Sequence, residues 1–482
     1  MDNLNPESLK NQVIKSSFWV FGANLISRLI SFISTLILAR LLTPEDFGVI
    51  GYGSLIVGTV GLVREIGFNS ALIYQKERVE DAAATTLIFT TLWSTFLYLL
   101  VVFLAPLAAT FFREPRLTLL LRVLPISLIL NSTANVPMTL LEKDILFNRR
   151  IIPEVIYHIV YGICTALFAF LGFRYWSFVI GTLCADLSQL IVAFILRPVK
   201  INPRMNLAIF KEMFGFGKNV MGLGILNFGV RNIDDFFVGR MLGTVQLGIY
   251  NFAYRIANIP ATNITNVLGK ILYPSFTKIA DDLKALQNGF LKSLRYISFI
   301  TTPLTFYIIL ITPDVINLFF PKWIEAIVPI QLIAYFGGIR SIGSGTGSIF
   351  LAKGQPERML PISGFQFIFL TVLLYPTIKY FDLKGVCWLV NISMTISFFW
   401  SNLLLKPVID INLAKVLKVL VPSLIYSVII LILILFVNYL LSDEWKYFGL
   451  IVKGLGFPFI YLLATGIISK TPQEIWRDLF HF

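Results

Sequence analysis

Apolar residues in this chain run in long blocks, broken by short polar or proline-containing stretches. About 14 of these blocks are long enough to cross a bilayer at roughly 20 residues each. They fall at 14–38, 47–71, 84–110, 117–141, 151–171, 176–196, 214–240, 246–276, 294–313, 326–351, 361–378, 385–405, 416–441 and 447–469. Thr43-Pro44-Glu45-Asp46 separates the first two blocks, and Gly354-Gln355-Pro356-Glu357-Arg358 the tenth and eleventh. Hydrocarbon offers the backbone no water to bond with, so each block predicts a helix and not an open strand. No polar stretch is long enough to fold as a separate soluble domain.

Composition sharpens this pattern. Of 482 residues, 56% are hydrophobic and only 14% charged, and the mean hydropathy is +0.79. A soluble surface needs nearer a quarter charged residues, so a water-soluble protein is excluded. The net charge of +13 would suggest nucleic acid in a soluble protein, but here it comes from basic loops between spans. Lys76, Arg78, Lys143, Arg149, Arg150 and Arg197 fall on one side of the membrane, and Arg40, Arg113, Arg116 and Arg174 on the other, less basic side. That asymmetry, with an even number of spans, places both termini in the cytoplasm of a multi-pass plasma-membrane protein. The polar N-terminus lacks a short apolar core with a cleavage site, so insertion by the uncleaved first span is expected.

Several kinds of chemistry are missing. Cys164, Cys184 and Cys387 lie in apolar runs and form neither a metal motif nor a disulfide framework. No phosphate-binding glycine loop is present, and the two histidines, His158 and His481, are isolated, so no enzyme is expected. His158 reads as an interhelical hydrogen-bonder. Asn131-Ser132-Thr133 matches a glycosylation site in form but sits inside a span.

The chain also repeats itself. Residues 39–52 read ARLLTPEDFGVIGY and residues 239–252 read GRMLGTVQLGIYNF, so Arg40 aligns with Arg240, Leu42 with Leu242 and Gly48 with Gly248 at an offset of 200. A weaker echo links Leu140-Leu141-Glu142-Lys143 with Leu351-Ala352-Lys353-Gly354. Spans one and seven enter from the same side, which defines a parallel repeat of the kind transporters use for alternating access. The expected organisation is a six-helix bundle at 1–200, a second at 201–410, and two extra helices with a cytoplasmic tail at 411–482.

Polar groups inside the spans recur on single helix faces. Asn24, Arg28, Ser31 and Thr35 do so in the first span, and Asn227, Arg231 and Asp234 in the seventh. The series Asn251, Arg255, Asn258, Thr262 and Asn266 does so in the eighth. Such faces imply a water-filled cavity, because ionisable side chains at bilayer depth need a partner or water. Arg28, Arg255 and Arg340 lie mid-span without a carboxylate three or four residues away, whereas Arg231 has Asp234 and Asp235 in helical reach. Arg231 with Asp234 and Asp235 is therefore either a structural ion pair or an ion-coupling group, and Asp186 is a candidate interhelical counter-ion. Guanidinium groups in such a cavity select anions and fit phosphate or carboxylate oxygens in pairs. Arg28, Arg255 and Arg340 are thus candidates to hold an acidic cargo, with Asn24, Asn227, Asn251 and Asn258 as donors to sugar hydroxyls.

Ala39-Arg40-Leu41-Leu42-Thr43-Pro44-Glu45-Asp46-Phe47-Gly48, Glu65-Ile66-Gly67-Phe68-Asn69-Ser70-Ala71-Leu72-Ile73 and Leu272-Tyr273-Pro274-Ser275-Phe276 resemble the polysaccharide transporter family of O-antigen and exopolysaccharide flippases. So do the Leu140-to-Arg150 loop and Ala352-Lys353-Gly354-Gln355-Pro356. The family shares a superfamily with multidrug extruders and lipid II flippases. The resemblance implies an all-α membrane fold of two six-helix bundles around a central cavity, with two C-terminal helices. It also implies movement of an undecaprenyl-diphosphate-linked oligosaccharide by alternating access, coupled to Na⁺ or H⁺ and without another cofactor. Membrane lipid, a polysaccharide polymerase and a chain-length regulator are the implied partners, and a monomer suffices. A multidrug or cation antiporter of the same fold is the alternative. A glycan polymerase or ligase is disfavoured, because no outer loop exceeds about a dozen residues where such enzymes need a large one.

Overall fold

The computed structural model describes residues 6–64, 67–75, 78–199, 228–259, 266–440, 449 and 452–468. Among them every regular element is helical, and ten segments are long and apolar enough to cross a membrane. The chain divides into two compact units, Met1–Gly248 and Ile249–Phe482.

The first unit contains α1 (Pro6–Leu41), α2 (Pro44–Arg64), a short α3 (Phe68–Tyr74), α4 (Val79–Phe112), α5 (Arg116–Val123), α6 (Ile126–Lys143), α7 (Phe147–Phe170) and α8 (Trp176–Leu196). Helical residues 228–242 form α9, and α10 (Thr244–Ala257) begins in this unit. Local sequence explains where these helices start and stop. Pro44 opens α2, and Asp46 in its first turn accepts from the Thr43 amide at 3.1 Å and the Thr43 hydroxyl at 2.8 Å. α4 ends at Arg113, whose left-handed φ of 56° turns the chain back. α7 packs on α1 and α8, and α6 on α4 and α8. The outward faces carry Phe103 and Phe170, 80% and 79% exposed, as a surface destined for acyl chains requires.

Charged residues gather in two layers, one at each end of this unit. At one end Arg116 reaches Glu45 at 2.8 Å and Glu114 at 2.7 Å, while Arg174 reaches Glu45 and Asp46. At the other, Arg197 pairs with Glu80 and Asp144, and Arg150 with Glu142 and Glu154. The successive spans therefore run up and down, and the basic loops sort into the two sets that the sequence separates.

The second unit holds most of α10 and α11 (Asn266–Lys278), α12 (Leu283–Phe319), α13 (Ile327–Ala352), α14 (Leu360–Leu403), α15 (Lys406–Ile409), α16 (Leu413–Leu440) and α17 (Phe457–Ile468). Asp282 caps α12 by accepting from the Ala285 amide at 2.9 Å. The core packs Phe276, Phe290, Ile297, Phe350 and Leu405 together. α16 and α17 join α12 through Leu310, Ile430, Phe457 and Tyr461. The Tyr461 hydroxyl donates to the Phe299 carbonyl at 3.0 Å, and Lys453 pairs with Asp314 at 2.8 Å.

One local expectation holds and another changes. The eleventh and twelfth blocks, read as separate spans, are two helical stretches of α14 divided by non-helical backbone at Asp382 (φ 49°, ψ −148°), between the two blocks. The polar series of the eighth span does not continue along one helix. α10 ends at Ala257, residues 260–265 lie outside the described residues, and Asn266 begins α11.

The weaker repeat echo has a shared structural job. Lys143, at the end of α6, donates to the carbonyls of Leu72, Ile73 and Gln75 at the end of α3. Lys353, at the end of α13, donates to the Ala280 carbonyl just past α11, at 2.8 Å. Each lysine closes the turn behind the second span of its own set, where carbonyls lack helical partners.

Candidate functional site

The first unit carries a polar seam through its apolar helices. Asn24 and Arg28 are half-buried on α1. One turn on, the Ser31 hydroxyl lies 3.1 Å from Nδ1 of His158 on α7 and 2.9 Å from the Ser27 carbonyl oxygen. With the Ser31 proton directed to that carbonyl, the hydroxyl accepts from an Nδ1–H tautomer, an assignment made from the hydrogen-bond pattern. The charges of Arg28 and Glu154 both reach this imidazole. His158 is thus the interhelical hydrogen-bonder that the sequence suggests, and it sits beside Arg28.

Deeper in the same unit Asp186 on α8 is 1% exposed and accepts from the Asn131 amide of α6 at 2.8 Å. Among the described residues no donor meets its second oxygen. The positive charge of Arg64 on α2 acts on this carboxylate, which in turn acts on Tyr157 of α7. The two residues after Asn131 extend the seam to α4: Ser132 bonds Ser94, and Thr133 bonds Thr91 at 3.1 Å. The tripeptide that resembles a glycosylation signal is therefore an interhelical polar joint. Asp186 is an interhelical hydrogen-bond acceptor whose partner, the neutral Asn131 amide, sequence reasoning missed; the Arg64 charge acts on it without a direct ion pair. Their one available signal was polarity in or beside otherwise apolar spans.

In the second unit Arg340 of α13 lies 3.4 Å from the Tyr254 hydroxyl of α10, with its guanidinium 5.9 Å from the Phe336 ring centre. Tyr254 and Phe336 are themselves in ring contact at 5.8 Å. An arginine over the Phe336 ring and beside the Tyr254 hydroxyl keeps its charge partly compensated by π electrons while its remaining donors stay directional. On α10 Asn251 is half-buried and Arg255 exposed, and Asn258, in the turn just after it, is buried at 3%. The face read as uniformly polar thus spans core and surface. On α9 Arg231 is exposed, Asp234 is 4% exposed, and Asp235 is half-buried with its amide donating to the Asp234 carboxylate at 3.0 Å. Asn227 lies outside the described residues.

One further charged group matters at an end of the first unit. Glu114, 4% exposed in the turn between α4 and α5, accepts from Arg116 Nε at 2.7 Å, Arg116 Nη2 at 2.8 Å and the Thr244 hydroxyl at 2.7 Å. Burial pushes its carboxyl up, but these hydrogen bonds and the Arg116 charge outweigh burial and hold it below the usual range. Among the described residues no cluster of His, Cys, Asp and Glu has the makings of a metal site.

Among the described residues, ten segments able to cross a membrane, with polar side chains joined between helices well inside them, define a multi-pass membrane protein. The fold matches the lipid II flippase MurJ in its inward closed conformation with a TM-score of 0.73, at 14% identity over 94% of this chain and 99% of that one. It also matches an inward-facing multidrug resistance MATE family transporter with a TM-score of 0.65, at 16% identity over 79% of this chain and 95% of that one. Residues 37–328 match the model for the family described as polysaccharide biosynthesis protein, and the chain belongs to that family. Among its relatives are the teichuronic acid biosynthesis protein TuaB of Bacillus subtilis, 24% identical over 84% of this chain and 85% of the relative, and the lipopolysaccharide biosynthesis protein WzxC of Escherichia coli, 24% identical over 77% and 75%.

Proposed function

We propose that this chain is a flippase that carries an undecaprenyl-diphosphate-linked oligosaccharide across the bacterial plasma membrane by alternating access. The observation that carries the reading is Arg28. It is a guanidinium half-way along a membrane span, on one helical face with Asn24 and Ser31, and electrostatically linked to His158. In this reading Arg28, Arg255 and Arg340 bind the diphosphate or acidic sugars through paired hydrogen bonds. Asn24, Asn227, Asn251 and Asn258 donate to sugar hydroxyls, while the polyprenyl tail stays in lipid. Residues 1–200 and 201–410 move as the two halves around a shared hydrated cavity, 411–482 supplies the extra helices, and both termini are cytoplasmic. Arg231, Asp234 and Asp235 form the group that couples transport to Na⁺ or H⁺, and the protein works as a monomer. Family membership and relatives named for teichuronic acid and lipopolysaccharide biosynthesis support a glycan cargo.

The alternative, a multidrug or cation antiporter, draws on the likeness to the MATE transporter. It fits less well, because a cation carrier needs an acid where this chain has Arg28. Arg28→Ala is expected to abolish surface glycan export in the native host while membrane levels of the protein stay normal. Normal export by that variant sinks the assignment. Efflux of cationic dyes in a pump-deficient host, with no effect on glycan, would favour the antiporter.

A further inference from the structure

The strongest repeat in the sequence coincides with a reciprocal backbone contact. Gly48, in the first turns of α2, faces Thr244 at the start of α10. A Cβ placed on Gly48 would collide with the Thr244 carbonyl, 2.7 Å from its carbon. Gly248 faces Pro44 in the same way, and a Cβ there would sit 2.8 Å from the Pro44 carbonyl carbon and 2.8 Å from the Gly48 amide nitrogen. Residues 44 and 48 correspond to 244 and 248 at the offset of 200, so each copy's glycine packs on the other copy's turn. This is the self-complementary arrangement of a two-fold interface, built inside one chain. It explains why glycine stands at both positions, since any side chain holds the two backbones apart.

Polar ties surround the contact. The Thr244 hydroxyl donates to buried Glu114, which Arg116 holds and links to Glu45. The Tyr52 hydroxyl donates to the Gly239 carbonyl at 2.8 Å, and the Arg240 guanidinium lies 4.9 Å from the centre of the Phe111 ring. All of these lie at the end of the unit that carries Glu45, Glu114, Arg116 and Arg174. The opposite end carries the lysine-capped turn and the Arg150 and Arg197 pairs.

We propose that the reciprocal Gly48–Thr244 and Gly248–Pro44 contact, locked by Glu114, is the gate at this end of the transporter, closed in this structure and parted once per transport cycle. The proposal rests on the alternating-access reading above. Two properties suit the contact to gating. Its centre is backbone against backbone, so when closed it leaves no gap for a hydrated headgroup between the two turns. Its ties are hydrogen bonds and charges near a chain turn, which water can replace when the gate parts.

The test has two arms, both in protein carrying Cys164→Ala, Cys184→Ala and Cys387→Ala. In the first, Glu114→Cys with Thr244→Cys is bridged by a short bis-methanethiosulfonate, with bridging verified by mass spectrometry of the intact chain. Glycan export is expected to fall at least tenfold on bridging and to return when reductant splits the bridge. Export by bridged protein at the unbridged rate overturns the gate and makes the contact a fixed joint. In the second, Gly48→Leu is combined with a single cysteine at the gate, Thr244→Cys, labelled from the gate side, or midway along α1, Asn24→Cys, labelled from the opposite side, with a membrane-impermeant maleimide in each case. A gate forced open biases the protein to its other state, so labelling at residue 244 is expected to rise at least fivefold while labelling at residue 24 falls. A rise at 244 alone contradicts gating, and equal fast labelling at both sites marks an unfolded variant, leaving the bridging arm to decide. Labelling needs no cargo, so a gate that behaves as expected in a protein that moves no glycan overturns the proposed function and leaves this inference standing.

Discussion

Glutamine in place of Glu114 tests how the end of the first unit is held. The carboxylate is 4% exposed and accepts from Arg116 at 2.7 and 2.8 Å and from Thr244 at 2.7 Å. Glu114→Gln keeps the shape but removes the charge and turns one acceptor into a donor aimed at other donors. Hydrogen bonds to a charged group contribute about 1.5–3 kcal/mol each. Arg116 retains Glu45 at 2.8 Å and is 30% exposed, so the lower part of that range applies and the expected loss is about 2–3 kcal/mol. For a unit of this size melting on its own, the apparent melting temperature should fall by about 4–6 °C. The assay is thermal unfolding of purified protein in detergent, followed by size-exclusion fluorescence, across a pH series. Because the folded carboxyl lies below its ordinary value of 4.5, its stabilising contribution is fully present above that value and is lost as pH falls through the lower folded one. The gap between wild type and Glu114→Gln should therefore be constant near neutrality and close only in acid below that ordinary value. A gap absent at pH 7, or one that widens as pH falls, refutes the reasoning.

Other expectations follow from the buried joints. Asp186→Ala strands the Asn131 amide and opens a hole at a 1% exposed position, so it should lower stability by about 2–4 kcal/mol, read by the same melt. Asp186→Asn, which keeps the volume, should cost less, and equal effects would argue against the Asn131 bond. Lys143→Met and Lys353→Met each remove a donor to carbonyls at a turn and should each cost about 1–2 kcal/mol. A large effect from one and none from the other would show that the echoed lysines do not share a role. Trp323 is fully buried with its ring 4.1 Å from that of Phe252, so Trp323→Ala should cost about 3–5 kcal/mol, seen as loss of monodisperse protein during purification.

Much of the architecture is legible in the sequence because a bilayer leaves few choices. A long apolar block must become a helix, and α1, α4, α7 and α8 lie within a few residues of their expected blocks, apart from polar extensions such as the start of α1, whereas the block at 47–71 divides into α2, ending at Arg64, and the short α3. The offset of 200 is equally readable, yet its meaning is not, because a string of letters does not reveal that Gly48 and Gly248 touch each other's turns. The candidate site divides along the same line. Helical periodicity finds Asn24, Arg28 and Ser31 on one face, because that relation is local. It cannot pair Ser31 with His158, 127 residues away, or Asn131 with Asp186, 55 residues away, because interhelical partners depend on packing. The break at Asp382 inside α14, by contrast, is legible, because it falls in the polar gap between the eleventh and twelfth blocks.

The central claim is transport of a polyprenyl-diphosphate-linked glycan with Arg28 in its path. Purified protein reconstituted into unilamellar vesicles with a fluorescent undecaprenyl-diphosphate oligosaccharide, its outer-leaflet label quenched by a membrane-impermeant reductant, measures this most directly. The account expects quenching to pass the half of the label present in protein-free vesicles for wild type, and to stop at that half for Arg28→Ala protein that melts like wild type. Transbilayer movement by Arg28→Ala at the wild-type rate, or none by wild type under any imposed Na⁺ or H⁺ gradient, contradicts it.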